Sequence, residues 1–441
     1  MQKRFENIHE LVDSFATDRA CDPAFLYAEG GRVSQLSRRE YRERILARSS
    51  EIERAEGSPS APVALRESKT VGFAVEAIAR LHAGSDIVLI PEDRPLPAGK
   101  LSPHAIPHAH SGDAEAEGRA VFFTSGTTSA SKGVVLSSKA LLSACFAGQS
   151  LAGLGPEDVL LSLLPFSHVF GFVCSLLWGL AYGSAVALSR GVHEMFKDAD
   201  FFHATVLSAV PRMLEVMARA NALGSDMRLI VVGAAPCPPT LLESIESRGI
   251  EVHAGYGLTE TASGIALHTK SPDPVAYTPC PGCDIRIEPD GEISVSCGSL
   301  MEGYCEAGEI VAGDIRAGRL HTGDLGYLDG NGDLHVTGRK KEVLVLGNGT
   351  KVFLPEEEEE LAQACGTPDL AMVLRGGRLS IVLGTPLPGQ LIEAGIKALV
   401  EEINGGRRRD EQITDVMFHH GPLPRTETGK IKRYLLGNEA R

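Results

Sequence analysis

Directly after a hydrophobic strand the chain reads Phe122-Phe123-Thr124-Ser125-Gly126-Thr127-Thr128-Ser129-Ala130-Ser131-Lys132-Gly133. Backbone N–H groups, hydroxyls and an ammonium group can each donate hydrogen bonds to phosphate oxygens, and glycine lets the backbone approach closely. A Walker-type loop would need glycine at 131 and Ser or Thr at 133, but Ser131 and Gly133 stand there. The stretch therefore predicts a polyphosphate-binding loop of a different kind, with an ordinary polar turn as the competing interpretation.

A second segment has the side chains that a magnesium nucleotide would need. It reads Gly255-Tyr256-Gly257-Leu258-Thr259-Glu260 and follows a strand that contains Val252. Tyr256 offers an aromatic face for a purine, Thr259 a hydroxyl for a phosphate, and Glu260 a hard carboxylate suited to Mg²⁺. On its own this would be an unremarkable Gly-Tyr-Gly turn.

A third segment runs from His321-Thr322-Gly323-Asp324 to Gly338-Arg339-Lys340-Lys341. A carboxylate acceptor such as Asp324 and a guanidinium donor such as Arg339 would together suit a diol. Between them the run Asp329-Gly330-Asn331-Gly332-Asp333 predicts a tight hairpin turn. A fourth segment, Pro424 to Lys432, places Lys430 in a loop of glycine and threonine, where a lysine is usually just solvated.

Taken in this order, the four segments resemble the signature motifs of the adenylate-forming (AMP-binding) superfamily, which includes acyl-CoA and aryl-CoA synthetases, adenylation domains of peptide synthetases and luciferases. The resemblance covers the chain from about Leu36 to Tyr434. It is strongest to acyl- and aryl-CoA synthetases of the fatty-acyl or 4-coumarate-CoA ligase kind. It implies ATP, Mg²⁺ and CoA, or the phosphopantetheine of a carrier protein, as cofactors.

The resemblance also implies roles for individual residues. Lys430 matches the catalytic lysine, Asp324 the ribose-binding aspartate, and Val231 to Pro236 the segment whose backbone flanks adenine. The implied catalytic residues are Lys430, Thr259, Glu260 and His168, with Glu260 also the metal ligand. The implied nucleotide-binding residues are Thr124, Ser125, Gly126, Thr127, Thr128, Lys132, Gly133, Gly233, Ala234, Ala235, Tyr256, Gly257, Asp324, Val336, Arg339 and Lys341.

Alternating strand-like and helix-like runs predict an α/β fold with layered sheets. The strand-like runs include Ile87–Ile90, Ala120–Phe123, Ala185–Leu188, Thr205–Leu207 and Leu229–Val232. We expect a large N-terminal domain over residues 1–338 that binds ATP and the acid, with a β-rich subdomain from Asp284 to Val336. The resemblance implies a small mobile α+β domain over residues 339–441, with a hinge near Lys341. Only about thirty residues separate Pro91 from Phe122, where relatives carry a further strand–helix unit, so the N-terminal part is shortened.

Substrate class is indicated by the segment Leu164 to Gly171, which reads LPFSHVFG. Amino-acid-activating relatives have an aspartate in this region, and its absence here disfavours an α-amino acid. His168 resembles the histidine of fatty-acyl and aryl synthetases that lines the carboxylate pocket, with a buried structural histidine as the alternative. We expect ATP-dependent formation of an acyl-adenylate from a fatty, acyl or aryl acid, then a CoA thioester. The alternatives are loading of a carrier protein, or nucleotide binding without ligase activity.

Composition narrows the partners and the compartment. The 441-residue chain has a net charge of −14, which argues against nucleic acid as a partner. Nine cysteines in apolar contexts, and a polar N-terminus without an apolar core, predict a reduced cytoplasmic protein. The pair Cys280 and Cys283 lacks two further zinc ligands at suitable spacing, so neither a metal nor a redox function is predicted for it.

One uncharged run could be mistaken for a membrane span. Residues Val159 to Ser189 contain no Asp, Glu, Lys or Arg, but proline, serine and glycine residues interrupt the run. A buried strand, a turn and a buried helix explain it better than a transmembrane helix. We therefore expect no integral membrane segment.

Overall fold

The computed structural model describes residues 4–17, 19–56, 62–92, 117–124, 132–191, 193–269, 275–306, 309–345, 351–376, 378–385, 390–409, 411–425, 431 and 433–436. Within these ranges no helix is long and apolar enough to cross a membrane. The chain divides into two compact units. The first comprises residues 1–124, 132–322 and 327–336, and the second comprises residues 125–131, 323–326 and 337–441.

The helices of the described residues are α1 (Ile8–Ser14), α2 (Arg38–Glu56), α3 (Val71–His82), α4 (Ser138–Gln149), α5 (Val169–Phe172), α6 (Trp178–Tyr182), α7 (Met195–Phe201), α8 (Pro211–Arg219), α9 (Pro239–Glu246), α10 (Leu354–Cys365), α11 (Gln390–Asn404) and α12 (Arg433–Leu436).

The strands are β1 (Pro23–Glu29), β2 (Arg32–Ser37), β3 (Val63–Arg66), β4 (Ile87–Ile90), β5 (Arg119–Phe123), β6 (Gly133–Ser137), β7 (Val159–Ser162), β8 (Ala185–Leu188), β9 (Val206–Ala209), β10 (Leu229–Val232), β11 (Glu251–Leu258), β12 (Ser263–Leu267), β13 (Ala276–Pro279), β14 (Asp284–Ile287), β15 (Glu292–Ser296), β16 (Gly303–Glu306), β17 (Glu309–Val311), β18 (Ile315–Arg316), β19 (Arg319–Leu328), β20 (Leu334–Arg339), β21 (Val343–Val345), β22 (Lys351–Phe353), β23 (Leu370–Arg375), β24 (Arg378–Thr385) and β25 (Ile413–His420).

One sheet has the spatial order β14-β15-β19-β20-β13-β12-β11-β10-β9-β7-β8-β1-β2, with β18 beside β19. Its neighbouring strands β8, β7, β9, β10 and β11 are parallel. Strands β8, β9 and β10 are buried along their whole length, as expected for parallel strands covered on both faces by helices. Helices α7, α8 and α9 each lie between two of these strands in sequence, which makes crossover units and gives the strands one common direction.

A second sheet carries the predicted phosphate loop. Its order is β17-β16-β6-β5-β4-β3. Strands β3, β4 and β5 are parallel, whereas β5 and β6 form an antiparallel hairpin. The start of the hairpin is fixed by the buried Arg119, which donates to both carboxylate oxygens of buried Asp86, with 2.6 Å between Nη2 and Oδ2. Because a buried charge without its partner is costly, this pair anchors β5 against the end of α3 and β4.

The uncharged run folds as a strand followed by one long, irregular helix. Strand β7 ends at Ser162, and α5 and α6 are joined by a π-helical turn over Val173–Leu177. The wider turn coincides with a carbonyl bonded from outside the helix, since the Ser208 hydroxyl donates to the Cys174 oxygen at 2.9 Å. Gly183 ends the helix in the left-handed conformation at φ +92°. The interpretation as buried strand, turn and buried helix is confirmed.

The second unit is an α+β arrangement with its own apolar core. Strand β24 pairs antiparallel with β23 and parallel with β25. Leu361 of α10 and Val400 of α11 pack in a buried cluster with Ile381 of β24. The expected α/β fold class, with a large layered unit and a smaller α+β unit, is thus confirmed.

Candidate functional site

Three of the predicted segments follow parallel strands of the first sheet at their carboxyl ends. The segment Leu164 to His168 follows β7, the turn from Gly233 to Ala235 follows β10, and Tyr256 to Leu258 forms the last part of β11. Strands β7, β9, β10 and β11 are neighbours and parallel, so these three segments lie at the same edge of the sheet. Ligands of open α/β sheets bind at this edge.

The two ends of the predicted phosphate loop meet at the top of the β5–β6 hairpin. The Thr124 amide donates to the Lys132 carbonyl at 3.0 Å, and Phe123 faces Gly133 across the ladder. A Cβ on Gly133 would lie 3.2 Å from Val121 and 3.4 Å from Phe123, so the hairpin leaves little room for a side chain there. Residues Ser125, Gly126, Thr127 and Thr128, together with 129–131, lie outside the described residues.

Lys132 and Glu260 come from different motifs and both contact one tyrosine. The Lys132 ammonium lies 4.2 Å from the centre of the Tyr304 ring, in cation–π geometry. The Tyr304 hydroxyl donates to Oε1 of Glu260 at 2.7 Å. Tyr304 itself is buried, in β16, where it pairs with Val134 of β6. The first unit therefore brings a lysine and a metal-compatible carboxylate to the same tyrosine.

Gly313 leaves the space that the Tyr304 ring occupies. Gly313 has the left-handed φ of +63°, and a Cβ there would lie 2.4 Å from the Tyr304 ring. Any other residue at this position would therefore be strained and would also displace the ring.

The Gly-Tyr-Gly segment is a strand and not a turn. Strand β11 continues through it to Leu258 and pairs antiparallel with β12. A Cβ on Gly257 would lie 1.9 Å from the Ser263 carbonyl, so only glycine allows the two strands to come this close. The half-buried Tyr256 ring lies 6.3 Å from the Tyr277 ring. Thr259 and Glu260 follow in a short 3₁₀ turn, and the Glu260 carbonyl accepts from the Met301 amide at 2.9 Å.

The turn after β10 exposes its backbone. Gly233 is buried, and a Cβ there would lie 3.4 Å from the Phe170 ring. Ala234 has the left-handed φ of +67°, which is unusual for alanine, and Ala234 and Ala235 are both exposed. Strained backbone of this kind is concentrated at ligand sites, which agrees with the predicted contact of this turn with adenine.

Glu67 and Lys69 hold the segment that contains His168 through hydrogen bonds to its backbone. Oε1 of buried Glu67 accepts from the Phe166 amide at 2.6 Å, and its Oε2 accepts from the Ser167 hydroxyl. The Lys69 ammonium donates to the Leu164 carbonyl and lies 3.6 Å from the centre of the Phe166 ring.

His168 is exposed and begins α5 as its N-cap residue. It is therefore not the buried structural histidine of the alternative interpretation.

Burial of the Lys69 side chain changes the pKa of its ammonium group. Desolvation lowers the pKa of Lys69 to about 7, because the ammonium loses its water shell, and the nearby Glu67 carboxylate opposes this shift only in part. A lysine with such a pKa is poised between its charged and neutral forms near neutral pH.

In the second unit, Arg339 pairs with buried Asp324, with 3.0 Å between Nε and Oδ1. Arg339 is half-exposed. The pair places an acceptor and a donor side by side, as the predicted ribose contact requires. Asp324 lies on β19 and Arg339 on β20, and the turn between these strands is the predicted one, closed by the Asp329 amide on the Asp333 carbonyl at 3.0 Å.

The three remaining predicted site residues are Val336, Lys341 and Lys430. Val336 is half-buried on β20, in the first unit. Lys341 lies in a short 3₁₀ turn over Lys340–Glu342, and only its backbone is described. Lys430 lies outside the described residues.

The fit of a magnesium ion can be judged from donor chemistry. The described ranges contain no group of three or more His, Cys, Asp or Glu residues that could hold a metal. A single carboxylate such as Glu260 is nevertheless what Mg²⁺ commonly takes from a protein when phosphates and water supply its other ligands. Glu260 therefore fits a magnesium ion that arrives with a nucleotide.

Sequence reasoning missed Tyr304, Glu67 and Lys69. Tyr304 lies in a short strand without any motif, and only the pairing of β16 with β6 brings it to Lys132. Glu67 and Lys69 sit in the polar run Arg66 to Thr70, which looks solvated in the sequence. Their signal is the position of this run directly after a strand of aliphatic residues.

The family is shown by two comparisons. A profile of the family described as "AMP-binding enzyme" matches residues 63–305. The indoleacetate–CoA ligase of Aromatoleum aromaticum is 31% identical over 401 residues, which cover 82% of this chain and 76% of that protein. The chain belongs to the AMP-binding enzyme family. The predicted family is thereby confirmed.

A further relative and two solved structures are also similar to this chain. The 2-succinylbenzoate–CoA ligase of Bacillus cereus strain Q1 is 33% identical over 270 residues, covering 56% of this chain and about half (54%) of that enzyme. Among solved structures, the AMP complex of O-succinylbenzoate CoA synthetase from Bacillus subtilis superposes with a TM-score of 0.76 at 21% identity, covering 100% of this chain and 99% of the other. ATP-bound MatB from Rhodopseudomonas palustris gives 0.75 at 21%, covering 99% and 98%. These two structures support the fold.

We predict that Tyr304→Phe weakens Mg·ATP binding about tenfold. The substitution removes a hydrogen bond to a charged carboxylate, which is worth about 1.5–3 kcal/mol, but keeps the ring beneath Lys132. The measurement is the KM for Mg·ATP beside the melting temperature. Tyr182→Phe is the matched control. It also removes a phenol hydroxyl, and the Tyr182 ring packs on Phe5. An unchanged KM in Tyr304→Phe would show that the hydrogen bond does not position Glu260.

We predict that Lys69 makes the stability of the first unit depend on pH. Between pH 7 and the ordinary lysine pKa the unfolded chain binds a proton that the folded chain has lost, so the stability contributed by Lys69 rises with pH in this window. The free energy of unfolding of the wild type minus that of Lys69→Met should increase by about 2 kcal/mol from pH 7 to pH 9.

The measurement is urea unfolding followed by the fluorescence of Trp178, the single tryptophan, which is buried in the first unit. Lys139→Met, at an exposed lysine, should show no such increase. A flat difference for Lys69→Met would mean that Lys69 keeps its proton throughout.

Proposed function

We propose that the protein is an AMP-forming acid:thiol ligase that activates an aryl carboxylate as its acyl-adenylate and then transfers the acyl group to CoA. The observation that carries the proposal is the meeting of Lys132 and Glu260 on Tyr304. It joins the phosphate-loop lysine to the carboxylate that suits Mg²⁺. Both belong to a chain of the AMP-binding family whose relatives are named as CoA ligases.

An aryl acid is favoured over a fatty acid by the names of the relatives. They are named for indoleacetate and 2-succinylbenzoate, which are both aromatic acids. Phe166, two residues before His168, is fully buried and stacks on Phe73 with ring centres 5.8 Å apart and planes 10° apart. This stack supports the backbone that carries His168.

The chemistry needs no covalent protein nucleophile. An oxygen of the substrate carboxylate attacks the α-phosphorus of ATP, pyrophosphate leaves, and the mixed anhydride then reacts with the thiol. The barrier is largely repulsion between an anionic nucleophile and a polyphosphate, so the residues act by position and charge. Lys132 would hold the phosphates, and a magnesium ion near Glu260 would supply charge neutralisation.

Further roles are proposed by the family resemblance. Lys430 would contact both the carboxylate and the α-phosphate, while Asp324 and Arg339 would bind the ribose. Residues 339–441 would move about a hinge near Lys341 between the two half-reactions. His168, exposed at the start of α5, would line the site of the substrate carboxylate.

The test is pyrophosphate release with Mg·ATP and a panel of acids: indoleacetate, 2-succinylbenzoate, benzoate and octanoate, each with and without CoA. We expect release with an aromatic acid and multiple turnovers only when CoA is present. Lys430→Ala and Glu260→Gln should each lower the rate by about 100-fold or more. Lys432→Ala, a lysine of the same segment, is the matched control and should keep the wild-type rate.

Each other outcome has a definite meaning. Release with octanoate alone would replace the aryl assignment by a fatty-acyl one. Single-turnover release that CoA does not accelerate would favour a carrier-protein thiol as acceptor. ATP binding without release for any acid would contradict ligase activity and leave a nucleotide-binding protein.

A further inference from the structure

Two cysteines that flank consecutive strands stand opposite each other at the open end of a β-hairpin. Strands β14 and β15 pair antiparallel, with Asp284 facing Ser296 and Ile285 facing Val295. The next residues outward in this register are Cys283 and Cys297. Each of the two thiols shifts the pKa of the other. The sequence had suggested only the neighbouring pair Cys280 and Cys283, so the partner that matters comes from the fold.

The register also indicates the kind of position that these two residues would occupy, one step beyond the last printed pair of the ladder, Asp284 and Ser296. The Glu288 amide donates to the Glu292 carbonyl at 2.8 Å, which makes 288 and 292 a hydrogen-bonded pair. Counting outward in steps of one, the pair of Cys283 and Cys297 falls on a non-hydrogen-bonded position. At such positions the Cα atoms are about 4.5 Å apart and the side chains approach most closely. This separation lies within the range of disulfides, about 4.4–6.8 Å.

The surroundings favour a thiolate on one of the two sulfurs. The adjacent Cys283 thiol lowers the pKa of Cys297, and the Ser299 hydroxyl, 3.2 Å from the Cys297 sulfur, acts in the same direction. Cys297 in turn raises the pKa of Cys283, which therefore keeps its proton. A thiolate beside a thiol is the arrangement of a nucleophilic cysteine with its resolving partner.

The other cysteines nearby do not compete. Cys280 is buried, and desolvation raises its pKa to about 12. Cys174 is raised to about 11 by the same cause. Cys283 and Cys297, in contrast, are both only partly buried.

We propose that Cys283 and Cys297 form an oxidation site that closes to an intramolecular disulfide with hydrogen peroxide. The Cys297 thiolate attacks one peroxide oxygen, the O–O bond breaks, and the cysteine becomes a sulfenic acid. The departing hydroxide takes up a proton from solvent, equivalent to the one that Cys297 lost as a thiolate, and leaves as the first water. The Cys283 sulfur then attacks the sulfenic sulfur, the S–O bond breaks, and a second water leaves with the Cys283 proton. Two thiols are oxidised and one peroxide is reduced to two waters.

The cross-link would close the hairpin of β14 and β15 at its open end. β15 contacts β19 through the Thr322 hydroxyl, which donates to the Ile293 carbonyl at 2.8 Å. Because a disulfide restricts the unfolded chain, the oxidised protein should melt at a higher temperature than the reduced one.

The test uses the full-length, fully reduced protein treated with hydrogen peroxide, alkylated with N-ethylmaleimide and digested without reduction. We expect the loss of two of the nine thiols. Mass spectrometry should show one cross-linked peptide pair that joins Cys283 to Cys297, and dithiothreitol should reverse it. This result needs no variant, so it does not depend on whether a substituted protein folds.

Variants assign the order of steps. In Cys283→Ser, dimedone should trap a sulfenic acid at Cys297, and in Cys297→Ser no cross-link should form. Cys365→Ser, a cysteine of the second unit, should cross-link as the wild type does. The proposal is overturned if nine thiols survive peroxide, if the disulfide joins Cys280 instead, or if peroxide oxidises Cys283 and Cys297 to separate sulfinic acids.

Discussion

The contact of Tyr304 with both Lys132 and Glu260 is the constraint on which the site of the first unit depends. It needs the β5–β6 hairpin, because Lys132 stands at the neck of that hairpin. It also needs β16 to pair with β6, so that the tyrosine faces the lysine. Burial of the ring makes the geometry rigid, and rigid charge placement is what an electrostatic catalyst requires.

The parallel strands bring together residues that are far apart in sequence. This matters because a carboxylate, an adenine and a phosphate chain must be held close to one another. Crossover helices give β7, β10 and β11 the same direction, and so their carboxyl ends bring His168, Gly233 and Tyr256 to one edge. Glycines at 171 and 257 are required because a Cβ at either would lie 1.9 Å from a carbonyl oxygen. Close packing at these two glycines thus fixes the path of the backbone that carries the site residues.

Much of this could be predicted from local pattern. The strands Ile87–Ile90, Ala185–Leu188 and Leu229–Val232 were expected with the bounds that they have, because short aliphatic runs flanked by turns have few alternatives. The continuation of β11 through Gly-Tyr-Gly was not predicted, since two glycines suggest a turn until a partner strand is known. Tyr304, Lys69 and the pairing of Cys283 with Cys297 depend on long-range contacts, which local periodicity does not contain.

The central claim is that the carboxylate attacks the α-phosphorus, and isotope transfer tests it most directly. The aromatic acid that supports pyrophosphate release is labelled with ¹⁸O in both carboxylate oxygens and incubated with the protein, Mg·ATP and CoA, and the products are analysed by mass spectrometry. The account predicts AMP with one ¹⁸O in its phosphate and a thioester that keeps the other. Label in inorganic phosphate together with ADP would mean attack at the γ-phosphorus and would contradict it.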